Sequence, residues 1–353
     1  MSVHRPTGTM RRRVRLSDIA EAVGCSVNTV SRALTGKDSV SPVTRAQVMA
    51  EAERLGYVPN NQARSLVLGS TRTVGLVITN PSNTLYAGLI SSVELRCRAL
   101  GYTVMLLATE ESPESERVAA ESLLHAGVDS ALAVPVQAEA GHWERLRRAG
   151  VDLVFVSREL PGMDVDFVGI DNEHGAYQAT AHVLDAGARV VWAVEEDLPI
   201  STVRQRRDGY LRAIADHAAD PGSARVLSVP TRRRDSLTLP WQAEEAYRLA
   251  GRLVADGDLP DAFVAGNDYF ALALIRALTE HGLRVPDDVL VVGYGDHPYA
   301  GYLTPTLSSV ALPATELGST AVDVLMRRTA EPEAPTTRHL IAPHLIPRES
   351  TRR

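Results

Sequence analysis

Several features that narrow a function quickly are scarce in this sequence. The 353 residues contain only two cysteines, and no apolar run approaches the roughly 18 residues needed to cross a bilayer. Cys25 and Cys97 lie far apart and form neither a metal-binding spacing nor a disulfide framework. The ten histidines are scattered along the chain. We therefore expect no metal, no cofactor and no membrane role.

The N-terminus also lacks the pattern of a secretion signal. Arg11, Arg12 and Arg13 are followed by neither an apolar stretch nor a small-residue cleavage site, so we expect a cytoplasmic protein. An apolar fraction of 44% and a charged fraction of 23% are typical of a globular chain, here of two or three units.

The net charge of −6 is unevenly distributed. Residues 1–70 carry ten Lys or Arg against five Asp or Glu, a balance of +5, and the remainder carries 27 against 38, a balance of −11. A basic head on an acidic body indicates that only the head meets a polyanion such as DNA. A solvated basic tail explains the charge alone equally well.

Three short helical patterns occupy the basic head. Leu16–Val23 has apolar side chains at helical spacing. Ser26 is positioned to cap a second helix, Val27–Leu34, and a serine followed by proline starts a third, which ends at Leu55. Two short helices joined by a three-residue turn are typical of a helix-turn-helix. A structural helical hairpin is the alternative.

The second helix carries side chains that suit DNA. Val27, Asn28 and Arg32 face outward at helical spacing, and Asn matches adenine while Arg matches guanine in the major groove. Thr29 and Ser31 can reach phosphate oxygens.

From residue 73 onward, short apolar runs alternate with amphipathic helical runs. Alternating strands and helices indicate parallel sheets covered by helices on both faces. More than ten strands are too many for one such sheet, so the pattern predicts two lobes with a boundary near residues 170–171.

Residues 15–70 resemble the head and hinge of the LacI/GalR family of bacterial repressors. The matching motifs are Leu-Ser-Asp-Ile-Ala (16–20), Ser-Val-Asn-Thr-Val-Ser-Arg-Ala-Leu (26–34), Leu-Gly-Tyr-Val-Pro-Asn (55–60) and Ala-Arg-Ser-Leu (63–66). The resemblance implies DNA contacts in the second helix and in the hinge, at Ser26, Val27, Asn28, Thr29, Ser31, Arg32, Asn60, Ala63, Arg64 and Leu66.

The resemblance also implies that residues 61–68 form a hinge helix in the minor groove. Leu66 is then the wedge that enters the central base step, because an apolar side chain can unstack a step and kink the duplex. A buried linker leucine is the alternative for this position.

The body resembles the family's periplasmic-binding-protein-like core, in which three crossovers join two lobes around a ligand cleft. The matching motifs are Arg-x-x-Gly-Tyr (206–210), Ala-Gly-Asn-Asp (265–268), Val-Val-Gly-Tyr (291–294) and an ending, 347–351, that resembles the family's last strand. The predicted fold is an all-α helix-turn-helix head plus an α/β two-lobed core.

The predicted boundaries follow from these patterns. Residues 1–14 are expected to be disordered, 15–58 to form the head, 59–71 the hinge and linker, and 72–353 the effector-binding and dimerisation domain. Lobe 1 is expected at about 72–170 and 302–330, and lobe 2 at about 171–301 and 331–353.

Seven residues are expected to bind the effector, and they are Leu85, Tyr86, Ser157, Arg206, Trp241, Asn267 and Asp296. The Arg206 guanidinium suits hydroxyls or a carboxylate, with a surface helix arginine as the alternative. Asn267 follows a strand at its ligand-binding end, where it could also be a helix cap. Trp241 has the spacing of an indole that stacks on a sugar in the resembled family, or it is a core tryptophan.

Two departures from the family pattern leave the ligand open. The common Asp-Asp after the Gly-Tyr motif is Gly295-Asp296 here, and the usual aspartate before Arg158 is Ser157. We expect a sugar or sugar derivative, with a nucleoside or another metabolite as the alternative.

Two other classes of protein fit less well. A dinucleotide-binding enzyme fails because Pro298 replaces the third glycine of the loop at Gly293 and Gly295, and no catalytic constellation is visible. The basic head and the missing secretion signal argue against a secreted sugar-binding protein. We expect a non-enzymatic homodimeric regulator, a repressor by family resemblance, whose two heads read the half-sites of a near-palindromic DNA operator.

Overall fold

The computed structural model describes residues 14–34, 39–57, 70–217, 224–230 and 243–353. The chain divides into two compact units, residues 1–71 and 72–353. The disorder expected at 1–14 and the hinge expected at 59–71 lie almost entirely outside the described residues. Within those ranges, no helix is both long and apolar enough to cross a membrane.

The head consists of three helices, α1 (Leu16–Val23), α2 (Val27–Leu34) and α3 (Pro42–Leu55). Their small core is closed by Ile19, Val30 and Val48, which are fully buried. The predicted start of α3 is confirmed, because the Ser41 hydroxyl accepts a hydrogen bond from the backbone amide of Thr44, which satisfies one of the free amides of its first turn. The chain forms three helices here because each apolar stripe buries against the other two.

The body contains two six-stranded sheets. The first sheet comprises β1 (Thr73–Ile78), β2 (Thr103–Ala108), β3 (Ser130–Ala133), β4 (Asp152–Val156), β5 (Asp166–Ile170) and β11 (Arg338–Ile341). The second comprises β6 (Val191–Glu196), β7 (Arg225–Val229), β8 (Ala262–Ala265), β9 (Leu290–Gly295), β10 (Ser308–Ala311) and β12 (His344–Ile346).

Helices cover both faces of each sheet. They are α4 (Thr84–Ala99), α5 (Pro113–Ala126), α6 (Gly141–Arg148), α7 (Asn172–Asp185), α8 (Ser201–Asp216), α9 (Ala243–Asp256), α10 (Asp268–Glu280) and α11 (Ala314–Ala330). Central strands such as β3 and β8 are buried along their whole length, which explains why they are continuous apolar runs.

The strand orders are β11-β5-β4-β3-β1-β2 and β12-β10-β9-β8-β6-β7. Neighbouring strands are parallel except for β10 and β12, which are antiparallel. The predicted two-lobed α/β core is confirmed, with the first crossover between Ile170 and Asn172.

The two later crossovers differ from the expected lobe boundaries. Residues 302–330 were expected in lobe 1, but β10 pairs with β9 and therefore belongs to lobe 2, and only α11 returns to lobe 1. Residues 331–353 were expected in lobe 2, but β11 pairs with β5 in lobe 1 before β12 crosses back. Strand pairing over long sequence distances determines these boundaries.

The C-terminal segment also differs from its expected conformation. Residues 347–351 do not form a strand, because Glu349–Thr351 is a single 3-10 turn. The turn is fixed by Ser350, whose hydroxyl accepts from the Ser308 amide and donates to the Val291 carbonyl. The last strand is instead β12.

Candidate functional site

The outward face of α2 carries the residues predicted to read bases. Val27 is 47% exposed, and Asn28 and Arg32 are also exposed, while Val30 and Ala33 point into the core of the head. This division follows from the helical repeat, which turns residues at positions 27, 28 and 32 away from those at 30 and 33.

The hydroxyls of α2 have a structural role in the head. The Ser26 Oγ accepts a hydrogen bond of 3.1 Å from the Thr29 amide, and the two hydroxyls lie 2.9 Å apart. Ser26 therefore caps α2, as its position in the sequence predicts. Ser31 is half-buried on the same helix. The four hinge residues predicted to contact DNA, Asn60, Ala63, Arg64 and Leu66, lie outside the described residues.

A cleft of about 280 Å³ lies between the two lobes of the body. Its walls include Leu85, Tyr86, Ser157, Arg206, Asn267 and Asp296. The structure thus brings six of the seven predicted effector residues to one cavity, and the seventh, Trp241, lies outside the described residues. The remaining walls come from both sheets, as expected for a ligand site at the carboxyl ends of parallel strands.

Helix starts converge on this cleft. Asn83 caps α4 by accepting from the Leu85 amide at 3.0 Å, and Asn267 caps α10 by accepting from the Phe270 amide at 2.9 Å. The first residues of α8, Ser201 and Thr202, are buried nearby. Because helix N-termini carry partial positive charge, they favour electron-rich ligand atoms such as hydroxyl or carbonyl oxygens.

Arg206 is held in a two-point ion pair with Glu195. Its Nε and Nη2 donate to the two carboxylate oxygens at 2.9 and 2.7 Å, and Nη1 takes no part in the pair. Burial alone lowers the pKa of Arg206, but the charge and hydrogen bonds of Glu195 outweigh it and raise the pKa. Gly266 makes room for this pair, because a Cβ there would collide with the Glu195 carboxylate.

A second buried arginine lines the cleft from the first lobe. Arg158 donates to Glu111 through Nη1 and Nη2 at 2.7 and 2.8 Å. Burial lowers the pKa of Arg158, but the electrostatic effects of Tyr86 and Glu111 outweigh burial and raise the pKa. The guanidinium therefore stays charged. Both arginines on the described walls of the cleft therefore have a carboxylate partner within the protein.

Tyr294 connects the arginine to the lobe crossover. The Arg206 guanidinium carbon lies 5.4 Å from the Tyr294 ring centre, within cation–π range. The Tyr294 hydroxyl donates to the Asn172 Oδ1 at 3.2 Å, and the Asn172 Nδ2 donates to the carbonyl of Ile170 and to Gln205. Burial raises the pKa of Tyr294, so its hydroxyl remains a donor.

Ser157 and Asp296 both have left-handed backbone conformations at the cleft, with φ of 64° and 46°. The Asp296 carboxylate forms an ion pair of 2.7 Å with Arg348, and its amide donates to the Ser309 hydroxyl. Asp296 is thus partly engaged within its own lobe.

Several cleft residues had no prediction from the sequence. Glu195 and Glu196 are the last two residues of β6, and both are buried. Two acidic residues at the end of an apolar strand are a sequence signal for a functional site. Asn172 lies directly after the predicted lobe boundary. His297 follows the altered Gly-Tyr-Gly-Asp segment, and it is buried against Asp268.

A helix-turn-helix head on a two-lobed α/β body with a polar cleft is the architecture of a DNA-binding regulator. Residues 15–60 match the family model for bacterial regulatory proteins of the lacI family, and residues 180–351 match the periplasmic binding protein-like domain. The chain belongs to the lacI family of bacterial regulatory proteins.

Similar proteins extend over nearly the whole chain. The ribose operon repressor of Escherichia coli (strain K12) is 30% identical over 336 residues, which cover 95% of this chain and 99% of that protein. The repressor PurR of Photobacterium profundum is 28% identical and covers 96% of this chain and 98% of that protein.

Solved structures give the same fold. A complex of the transcriptional regulator CelR with cellobiose has a TM-score of 0.70 at 28% identity, covering 96% of this chain and 100% of that one. A lac repressor dimer bound to operator and the anti-inducer ONPF has a TM-score of 0.84 at 24% identity, covering 97% of this chain and 100% of that one.

Proposed function

We propose that this regulator is a homodimeric repressor that binds a near-palindromic operator and responds to a small, neutral, polar metabolite. The metabolite is a sugar or sugar derivative held between the lobes. The carrying observation is that Arg158 and Arg206, the two cations on the described walls of the cleft, are already paired with Glu111 and Glu195.

The charge balance of the cleft argues against a strongly anionic ligand. A phosphate or carboxylate entering the site would compete with Glu195 for the Arg206 fork and would approach Glu196 and Asp296, which also line the cleft. A neutral ligand needs only hydrogen bonds, and the remaining Nη1 of Arg206 can donate to a hydroxyl oxygen. The polar walls therefore favour uncharged hydroxyl or amide groups.

The size of the cleft favours a small metabolite of one or two rings. Its volume of about 280 Å³ lies just below the roughly 300–1,000 Å³ of small-molecule sites. A sugar is further supported by the names of two relatives, the ribose operon repressor and the cellobiose complex. A nucleoside remains the alternative, because it too is neutral, and the relatives called PurR are not named for a sugar.

On the DNA side, we propose that Asn28 and Arg32 read base edges and that Val27 contacts a thymine methyl group, since all three are exposed on α2. Thr29, Ser31 and Ser26 lie beside them and suit phosphate contacts. The proposed wedge at Leu66 remains supported by the sequence resemblance alone.

The dimer is proposed from the operator-bound lac repressor dimer, whose fold this chain shares. Two heads on one dimer read two half-sites, so the operator should have approximate two-fold symmetry. Ligand binding between the lobes would change their relative angle and thereby the operator affinity, a coupling of about 1–3 kcal/mol in the usual range.

Two measurements on the full-length protein test this proposal. Selection from a random DNA library should recover near-palindromes with a pyrimidine–purine step at the centre, and binding should weaken steeply with salt. A thermal-shift screen with D-ribose, D-glucose, D-galactose, adenosine, glucose 6-phosphate and citrate should show stabilisation by a neutral ligand. Recovery of no preferred sequence, or stabilisation only by the two anions, would contradict the proposal.

A further inference from the structure

Two polar side chains of the cleft wall each have a nitrogen without a partner among the described residues. The Asn267 Nδ2 and the His297 Nε2 are buried, and neither forms a hydrogen bond with the described residues. Both residues line the cleft, and they are only 6% and 8% exposed. Buried polar groups are nearly always hydrogen-bonded, so an unpartnered pair in one cavity points to a ligand.

Asp268 determines which nitrogen of His297 carries the proton. Its carboxylate is fully buried, and the Oδ2 accepts from the His297 backbone amide at 2.6 Å and lies 3.0 Å from the ring Nδ1. The Oδ1 accepts from the Ser309 hydroxyl at 2.6 Å. Since a carboxylate only accepts, Nδ1 carries a proton, and in the neutral form of the ring Nε2 is then a hydrogen-bond acceptor.

Neighbouring rings hold His297 in this orientation. Tyr299 stacks on it with ring centres 5.4 Å apart and planes inclined by 19°, and Tyr269 packs against it at 5.0 Å. Gly295 is also required, because a Cβ there would lie 2.8 Å from the His297 Cε1 and Nδ1. The glycine that replaces a common family aspartate thus leaves room for an imidazole.

The Asn267 amide has the complementary orientation. Its Oδ1 accepts from the Phe270 amide as the cap of α10, so Nδ2 is the end left for the cleft, and it is a donor. Asn267 follows β8 and His297 follows β9, and these strands are neighbours in the second sheet. The same wall therefore presents one donor and one acceptor.

We infer that His297 is a specificity-determining contact of the effector site, acting with Asn267 on a ligand hydroxyl. The hydroxyl donates to the His297 Nε2 and accepts from the Asn267 Nδ2. This inference rests on the proposed function for the sugar class of the ligand. Position 295 is a glycine and has no carboxylate to accept from a ligand hydroxyl. In the inferred role, the His297 imidazole is the acceptor instead.

The protonation of the ring is tested without any ligand. The full-length protein is labelled with ¹⁵N in its histidine rings, and His297→Gln identifies the His297 signals in a long-range ¹H–¹⁵N spectrum. We expect the tautomer with the proton on Nδ1. A ring protonated on Nε2 overturns the inference, because it could not accept from a hydroxyl.

The contact itself is tested with D-ribose, D-glucose, D-galactose and adenosine as probes. For the probe that most stabilises the wild type, calorimetric titration should show about tenfold weaker binding by His297→Phe, as expected for the loss of one buried hydrogen bond. His297→Gln, which keeps an acceptor, should recover most of the affinity. The control His125→Phe changes an exposed residue at the end of α5 and should bind as the wild type does.

Unchanged affinity in His297→Phe overturns the inference. Should that variant fail to fold, the wild-type protein decides: the His297 Nε2 resonance should shift on saturation with the probe, and an unmoved resonance overturns the contact. If no probe stabilises the wild type, the proposed ligand class is wrong. The role of His297 as an acceptor is then upheld by a ring protonated on Nδ1 alone and overturned by a ring protonated on Nε2.

Discussion

The Arg206 guanidinium and the Glu195 carboxylate meet side by side, with Nε and Nη2 each donating to one carboxylate oxygen. The sequence predicted Arg206 as a fork for hydroxyls or a carboxylate of the ligand. The protein itself occupies half of that fork, so Arg206 enters the cleft as a neutralised pair. This relationship favours the expected sugar, or another uncharged polar molecule, over an acid.

Glu195→Gln should destabilise the body strongly. The substitution keeps the shape of the side chain but removes the carboxylate that is hydrogen-bonded to the buried Arg206, which costs about 3–5 kcal/mol for a buried pair. The control Glu244→Gln breaks an exposed pair with Arg248, worth about 0–1 kcal/mol. Urea unfolding of both variants measures the difference. Similar losses in the two variants would show that the Arg206–Glu195 pair is not a buried electrostatic unit.

The Gln137 side chain of lobe 1 forms a hydrogen bond to lobe 2. Its Oε1 accepts from the Ser201 amide of lobe 2 at 2.8 Å, and its Nε2 donates to the Glu159 carbonyl of lobe 1. Gln137→Gly removes both bonds and tolerates the local φ of 70°. We expect a shift towards open lobes by about three- to tenfold, from about 0.5–1.5 kcal/mol per bond.

Small-angle scattering of the ligand-free protein measures this opening as an increase in the radius of gyration. Ser122→Gly serves as the control, because the Ser122 hydroxyl bonds only within its own helix. A Gln137→Gly profile that superimposes on the wild type would mean that other contacts hold the lobes together.

Arg32→Ala should weaken DNA binding in a sequence-dependent way. Loss of a base-reading arginine costs about 1–3 kcal/mol and relaxes the preference at one position of each half-site. Arg54→Ala, at an exposed α3 residue paired with Glu51, is the control. Competition binding with operator variants separates the two roles. A loss that is equal on operator and random DNA would make Arg32 a phosphate contact.

Asp166 anchors β11 and α11 to the first lobe, and it makes stability depend on pH. Burial raises its pKa, but hydrogen bonds from Arg328 and Thr337 outweigh this and lower the pKa below 3.8. A lowered folded pKa means that the stabilisation is complete above the unfolded value and is lost as the pH falls through the folded one. Asp166→Asn should therefore be less stable at pH 7, and its stability should fall less below pH 4 (about the unfolded pKa). Equal urea midpoints for both proteins from pH 7 to pH 3 would exclude this role.

Local sequence patterns predicted most elements of the body. The apolar run at 262–265 forms strand β8, and the asparagine that follows it caps helix α10. Helix α6 has no strong sequence pattern, because it has only eight residues, begins at a glycine and buries only Trp143 and Leu146. Strands β10, β11 and β12 are equally hard to predict, because they are short and because partners far away in the sequence determine their pairing.

The candidate site was predictable only in part, for the same reason. Arg206 and Asn267 lie in motifs, so the resemblance located them before the structure did. The roles of their neighbours depend on strand order: Glu195 reaches Arg206 from β6, and His297 reaches Asp268 across 29 residues of sequence. No local pattern encodes such contacts, since they arise only when the sheet brings the strand ends together.

The central claim is that a ligand in the cleft controls operator affinity. Fluorescence anisotropy of labelled operator DNA, with and without the stabilising probe, tests this claim on the wild type and on the double variant Arg206→Met/Glu195→Leu. The double variant removes both charges and so avoids an unpaired buried ion. We predict that the probe changes the operator affinity of the wild type by about 5–150-fold, as typical allosteric coupling does, and that the double variant loses this change. A wild type whose operator affinity is the same at saturating probe, or a double variant that responds as fully as the wild type, would contradict the account.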